Sequence, residues 1–198
     1  VSEADVREDP NESLLSLVER EALYGAQQLG ATIGDRSAPI VMTVFSDFAC
    51  GHCAAFSSVI DSVLTMFPQH LQVKIVAFPL TSMRGAANIH MAAECLSNVG
   101  RFTEFYTIAG KDPALSKYSA GWERVVSSLQ LQEEEVEDLA KCVKTRRYAA
   151  SISEQVGFGK LLGVVATPTS FVGERRVIGA VSLAALTDTV ALELGRSR

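Results

Sequence analysis

Apolar positions are sparse at the amino terminus: residues 1–12 (VSEADVREDPNE) offer only Val1, Ala4 and Val6, so this stretch reads as a mobile acidic arm. From Ser13 onward Leu14, Leu15, Val18, Ala22 and Leu23 recur at three- and four-residue spacing, which predicts an amphipathic helix punctuated by Gly30 and Gly34. Such a helix can cover its own domain or join subunits. After Pro39 the run IVMTVFSDF is short and rich in β-branched and aromatic residues, as a buried strand is. GHCAAFSSVIDSVLTMF returns to helical period through Cys53, Phe56, Ile60, Leu64 and Phe67 and stops at Pro68. A second strand, LQVKIVAF, spans 71–78, so strand, crossover helix and strand form a parallel βαβ unit.

Between Met83 and about Leu162 the pattern is helical throughout: RGAANIHMAAECLSNV, RFTEFYTIA, AGWERVVSSL, EEEVEDLAKCV and RRYAASISEQVGFGKLL, separated by Gly, Pro and Ser turns. The short runs TSFV and RRVIGAV flank the turn Gly173-Glu174, and SLAALTDTVALEL closes the chain as a helix, a ββα ending. Phe102, Phe105, Tyr106 and Trp122 are read as core of the helical block. His70 and His90 are read as surface or packing residues, and the run from Glu133 to Asp138 as the solvated start of a helix.

With 198 residues, 47% apolar and 21% charged, the chain has material for one globular domain. A net charge of −5 argues against nucleic acid or anionic lipid as partner. No stretch approaches the roughly 18 apolar residues of a membrane span. The chain opens on Val1 without a basic segment and apolar run, so the expectation is that any secretory signal has been removed or was never present.

The sharpest chemistry lies at Cys50-Gly51-His52-Cys53, where a strand meets a helix. Thiols at this spacing can form a disulfide, and free N–H groups plus the positive helix end favour a thiolate on Cys50. Cys50 at the helix mouth is the expected nucleophile; Cys53, one turn in, is expected to be shielded until it resolves a mixed disulfide. His52, when protonated, would stabilise the Cys50 thiolate further. A zinc site would want a second close pair, whereas Cys95 and Cys142 stand apart, so no metal and no other cofactor is expected.

FSDFACGHC, the helical block, GVVATPTSFV and VIGAVSLAAL together resemble the DsbA-like branch of the thioredoxin superfamily over roughly residues 30 to 195. The resemblance implies an α/β thioredoxin fold with an inserted helical domain. Residues 31–82 and 163–198 would form the core and 83–162 the insertion, with 1–30 an amino-terminal arm and helix. It implies that Cys50 attacks, Cys53 resolves, and Thr167-Pro168 is a cis-proline loop facing them, with Thr167 a strand edge for an extended substrate. Thioredoxin and DsbA carry a buried acid six positions before the first cysteine. Here that position is Val44, and the nearest acid is Asp47, which either moves protons for the cysteines or only hydrogen-bonds the loop.

Gly51-His52 resembles the dipeptide of protein disulfide isomerase, which leaves oxidase against isomerase open. The carboxy-terminal VIGAVSLAAL also resembles the suppressor-of-copper-sensitivity protein C group, whose amino-terminal helices build oligomers. Some DsbA-like proteins carry a second, structural disulfide, the reading favoured for Cys95 and Cys142 over buried free thiols. The implied function is disulfide introduction into secreted or periplasmic proteins by dithiol-disulfide exchange at Cys50-Gly51-His52-Cys53; the alternatives are a disulfide isomerase or reductase and, behind these, a thioredoxin-fold module that binds metal or polypeptide without redox turnover. Its partners would be unfolded cysteine-containing substrates and a membrane redox partner that recharges the CXXC, with a homo-oligomer through the first helix as an alternative assembly. Phe48 is expected to line an apolar groove for unfolded chains.

Overall fold

The computed structural model describes residues 15–80, 86–111 and 121–196; the acidic arm and the helix start at Ser13 lie outside them. A five-stranded sheet runs in the order β1-β3-β2-β4-β5. The strands are β1 (Ala31–Gly34), β2 (Ile40–Ser46), β3 (Leu71–Ala77), β4 (Thr169–Val172) and β5 (Arg175–Ile178). β2 and β3 are parallel, with Ile40 opposite Leu71 and Ser46 opposite Ala77. Parallel neighbours need a crossover, which α2 (Gly51–Met66) supplies. β4 lies antiparallel against β2, Phe45 facing Thr169, and β5 antiparallel against β4.

Both faces of the sheet are covered, which is why β2 reads as one apolar run. Met42 and Val44 pack with Phe56 and Ile60 of α2. Phe45 points the other way, against Ala22, Leu23 and Ala26 of α1 (Leu17–Leu29). α1 opens with a reciprocal cap: Ser16 Oγ accepts the Glu19 N–H at 3.3 Å while Glu19 Oε2 accepts the Ser16 N–H at 2.8 Å. It packs beside α7 (Ala149–Leu161), where Gly159 lets the Phe78 ring approach so closely that a Cβ would sit 2.6 Å from it. α8 (Leu183–Arg196) joins α2 on the opposite face.

α3 (Ala86–Asn98), α4 (Phe102–Lys111), α5 (Gly121–Ser128) and α6 (Glu133–Lys144) pack around Leu96, Phe105, Val125 and Leu139. α3 touches α4, α5 and α6, and α4 reaches α2. Cys95 and Cys142 are bonded to each other, tying α3 to α6. Phe102, Phe105 and Tyr106 are buried and Trp122 is partly so, while the acidic first turn of α6 is exposed.

β1 is absent from the sequence reading, which took Gly30 and Gly34 only as punctuation at the end of the first helix. Gly34 instead closes an edge strand antiparallel to β3, at φ 82°, and a Cβ there would meet the Leu64 side chain at 2.7 Å. Three residues between two glycines carry too little pattern to announce a strand.

Candidate active site

β2 ends at Ser46, and the chain turns back on itself before α2 begins. The Cys50 N–H donates to the Asp47 carbonyl at 2.9 Å, and the Asp47 N–H reaches Cys53 Sγ at 3.5 Å. Cys50 is the N-cap residue of α2, in extended conformation (φ −94°, ψ 120°), so first-turn N–H groups converge on its side chain. The Thr167–Pro168 peptide is cis. Cys50 Sγ lies 3.6 Å from the Thr167 carbonyl oxygen, across 117 positions of sequence. Adjacent strands make that contact: β4 starts at Thr169, directly opposite Phe45 on β2.

The free thiols of Cys50 and Cys53 divide one proton between them. The hydrogen bond from Cys53 lowers Cys50 to about 5 against the opposing effect of burial, with the backbone N–H groups of Cys53 and His52 helping. The same bond to Cys50, together with burial, pushes Cys53 far above the ordinary thiol range. At neutral pH the proton therefore sits on Cys53 and the charge on Cys50. Cys50 was expected to be the open sulfur and Cys53 the shielded one. Both are buried, Cys50 at 5% and Cys53 at 7% exposure, because the Thr167 loop covers the first as the fold covers the second. What separates them is the direction of hydrogen bonding. Gly51 and His52 are exposed, and His52 contributes to the Cys50 thiolate through its backbone N–H.

Asp47 is wholly buried. One carboxylate oxygen accepts the Ala49 N–H at 2.9 Å and the His90 Nε2 hydrogen at 3.2 Å; the other accepts the Leu80 N–H at 2.8 Å. Burial pushes this carboxyl upward, but the His90 hydrogen bond and charge, with the two N–H donors, outweigh it and hold it below the usual range. His90, 1% exposed on α3, takes the packing rather than the surface alternative, its ring against Phe48, and adds a bond to Asp47 that the sequence did not announce. Its only signal in the chain was its place in the apolar stretch Ile89 to Ala93; what it faces depends on a loop 43 positions earlier. His70 is exposed.

Phe48 is half-buried, its ring against His90, Phe102 and Phe105, and it also lines the small cavity beside Cys53. One turn beyond His90, Glu94 accepts from Gln155 Nε2 at 2.7 Å, and Gln155 Oε1 accepts the Ala77 N–H at 2.6 Å. A cavity of about 10 Å³, near the volume one water needs, is lined by Ser46, Asp47, Cys53, Ser57 and Tyr106 among others. Among the described residues no group of three His, Cys, Asp or Glu side chains is arranged to hold a metal ion, and Cys95 and Cys142 spend their sulfurs on each other.

The family model described as Thioredoxin matches residues 27–191. The chain belongs to the thioredoxin family. Among solved thioredoxin folds it is similar to a thioredoxin-like oxidoreductase from Silicibacter pomeroyi, with a TM-score of 0.76 at 18% identity over 90% of this chain and 98% of that one. It is also similar to the thiol-disulfide exchange protein alpha-DsbA2 from Wolbachia pipientis, with a TM-score of 0.68 at 17% identity over 89% and 98%. The DsbA-like thioredoxin fold expected from FSDFACGHC and GVVATPTSFV is thus the fold observed. A curated relative, the Na(+)/H(+) antiporter NhaA 1 of Salinispora arenicola, is 28% identical over 169 residues, which is 83% of this chain. The chain spans about a quarter of the length of the curated relatives it matches. This thioredoxin-family chain shares its fold with those solved structures.

Proposed function

We propose that the chain is a disulfide donor acting outside the cytoplasm on unfolded, cysteine-containing proteins. The observation that carries this reading is the one-sided sharing of the proton, Cys50 held at about 5 and Cys53 kept as a thiol. A stabilised Cys50 thiolate stabilises the reduced pair, which makes the Cys50–Cys53 disulfide oxidising. A substrate thiolate attacks Cys50 Sγ, the Cys50–Cys53 bond breaks, and Cys53 leaves and takes up a proton. Asp47 is the group proposed to pass that proton, through the cavity it shares with Cys53. A second substrate thiolate then attacks the substrate sulfur of the mixed disulfide; the substrate disulfide forms and Cys50 leaves as a thiolate. The Thr167 backbone and Pro168 provide the edge along which an extended substrate lies.

A membrane redox partner would reoxidise the pair. The Cys95–Cys142 disulfide supports an oxidising compartment. The antiporter relatives contribute nothing on transport to this reading, and among the described residues no helix is long and apolar enough to cross a membrane. Glutathione titration with mass spectrometry tests the direction: an oxidising Cys50/Cys53 couple supports it, and a strongly reducing one overturns it. Cys50→Ser is expected to abolish exchange and Cys53→Ser to trap mixed disulfides.

A second reading, an isomerase built from several copies, draws on Leu17, Val18 and Tyr24, which lie exposed on α1. Light scattering that returns a single-chain mass removes it.

A further inference from the structure

The Asp47–His90 pair is costly in a way that packing does not explain. Both side chains are withdrawn from water, and His90 Nδ1 is buried with no hydrogen-bond partner among the described residues. A buried polar atom left without a partner forfeits its hydration. Leucine or phenylalanine would fill the same place against Phe48 without that loss. What the histidine supplies and an apolar residue cannot is a donor, and in its protonated form a positive charge, 3.2 Å from the Asp47 carboxylate.

That carboxylate is close to the chemistry. Its own residue bonds Cys53 Sγ through the backbone N–H and receives the Cys50 N–H at its carbonyl, while Oδ1 and Oδ2 pin the loop through Ala49 and Leu80. A buried negative charge left alone here would oppose the thiolate that forms on Cys50. We infer that His90 is a positioning residue of the dithiol site, acting through Asp47: by donating from Nε2 to Oδ1 it fixes the buried carboxylate in the loop beside the two sulfurs. The inference rests on the oxidoreductase reading of Cys50 and Cys53. The other titratable groups around the pair are Cys53 on α2, Glu94 one turn along α3, and Tyr106 of α4 on the shared cavity.

The test is the midpoint of Cys50 thiolate formation, read by ultraviolet absorbance on the reduced CXXC of the full chain. It is measured in wild type, His90→Gln, Asp47→Asn and the double variant. Glutamine removes the ring whose Nε2 hydrogen Oδ1 accepts. His90→Gln is expected to raise the midpoint by about one pH unit, and to change it by only a small fraction of that in the Asp47→Asn background. An unchanged midpoint in His90→Gln, or an equal displacement with and without the carboxylate, overturns the inference while leaving the function standing. A wild type that titrates as an ordinary thiol and does not exchange with glutathione overturns both. Should His90→Gln fail to fold, the ring-nitrogen resonances of His90 in wild type decide. A hydrogen on Nε2 that shifts on Asp47→Asn supports the inference, and a bare Nε2 overturns it.

Discussion

Reducing a disulfide consumes two electrons and as many protons as the two sulfurs hold afterwards. With Cys50 at about 5 and Cys53 far above the ordinary range, the reduced pair at pH 7 carries one proton. One proton for two electrons gives a potential that falls by about 30 mV per pH unit. Below pH 5 both sulfurs are protonated on reduction and the slope doubles to about 60 mV. A dithiol with both groups near the unperturbed 9.0 would show the steeper slope through the whole neutral range.

Lowering Cys50 from 9.0 to about 5 stabilises the reduced form at pH 7 by roughly 3 kcal/mol, which makes the couple about 60 mV more oxidising. The same linkage acts on folding of the reduced protein. The folded value of Cys50 lies below the unfolded one, so its contribution is complete above pH 9, partial between 9 and 5, and lost as the pH falls through 5, while the raised Cys53 opposes it above pH 9. The assay is equilibration with glutathione at fixed ratios from about pH 4 to 8, quenched by alkylation and read by mass spectrometry, with the glutathione potential corrected at each pH. A slope near 60 mV between pH 6 and 8, or a break at or above pH 7, would refute the proton assignment and with it the asymmetry read from the hydrogen bonds.

Other substitutions address single contacts. Cys53→Ala removes the largest support of the Cys50 thiolate and should raise its midpoint by one to two pH units, roughly the value of a hydrogen bond to a charged group. Cys53→Ser, which keeps a donor, should raise it less. Replacing both Cys95 and Cys142 by Ala opens a loop of 47 residues, with an expected loss of about 4 kcal/mol in denaturant unfolding. Gln155→Leu strands the Ala77 N–H and the Glu94 carboxyl and should lower stability by about 3 kcal/mol. Gly159→Ala drives a methyl into Phe78, costing about 1–3 kcal/mol in the same measurement.

The elements longest in pattern were legible in the chain: the β2–α2–β3 unit, the helices from α3 to α7, and the ββα ending. Each depends on local period and local punctuation. The CXXC was legible because its chemistry and its place at a helix start lie within four residues. β1 was not, since a four-residue edge strand is defined by its pairing with β3, some forty positions away. His90 was not, since a histidine in an apolar stretch looks the same whether it faces a phenylalanine or a buried aspartate. The burial of Cys50 was missed for a similar reason: the carbonyl that covers it belongs to Thr167, and spacing within the CXXC says nothing of what folds over it.

The strand pair β2–β4 carries a consequence for how this protein tolerates change. Asp47 follows directly on one of these strands and Pro168 directly precedes the other, so the gap between sulfur and proline loop is set by a single ladder of backbone hydrogen bonds. Everything from α3 to α7 is a detour between those two fixed points. Lengthening a turn or recutting a helix surface in that detour would redecorate the rim of the site, as changing a lampshade leaves the bulb in its socket, provided His90 still reaches Asp47.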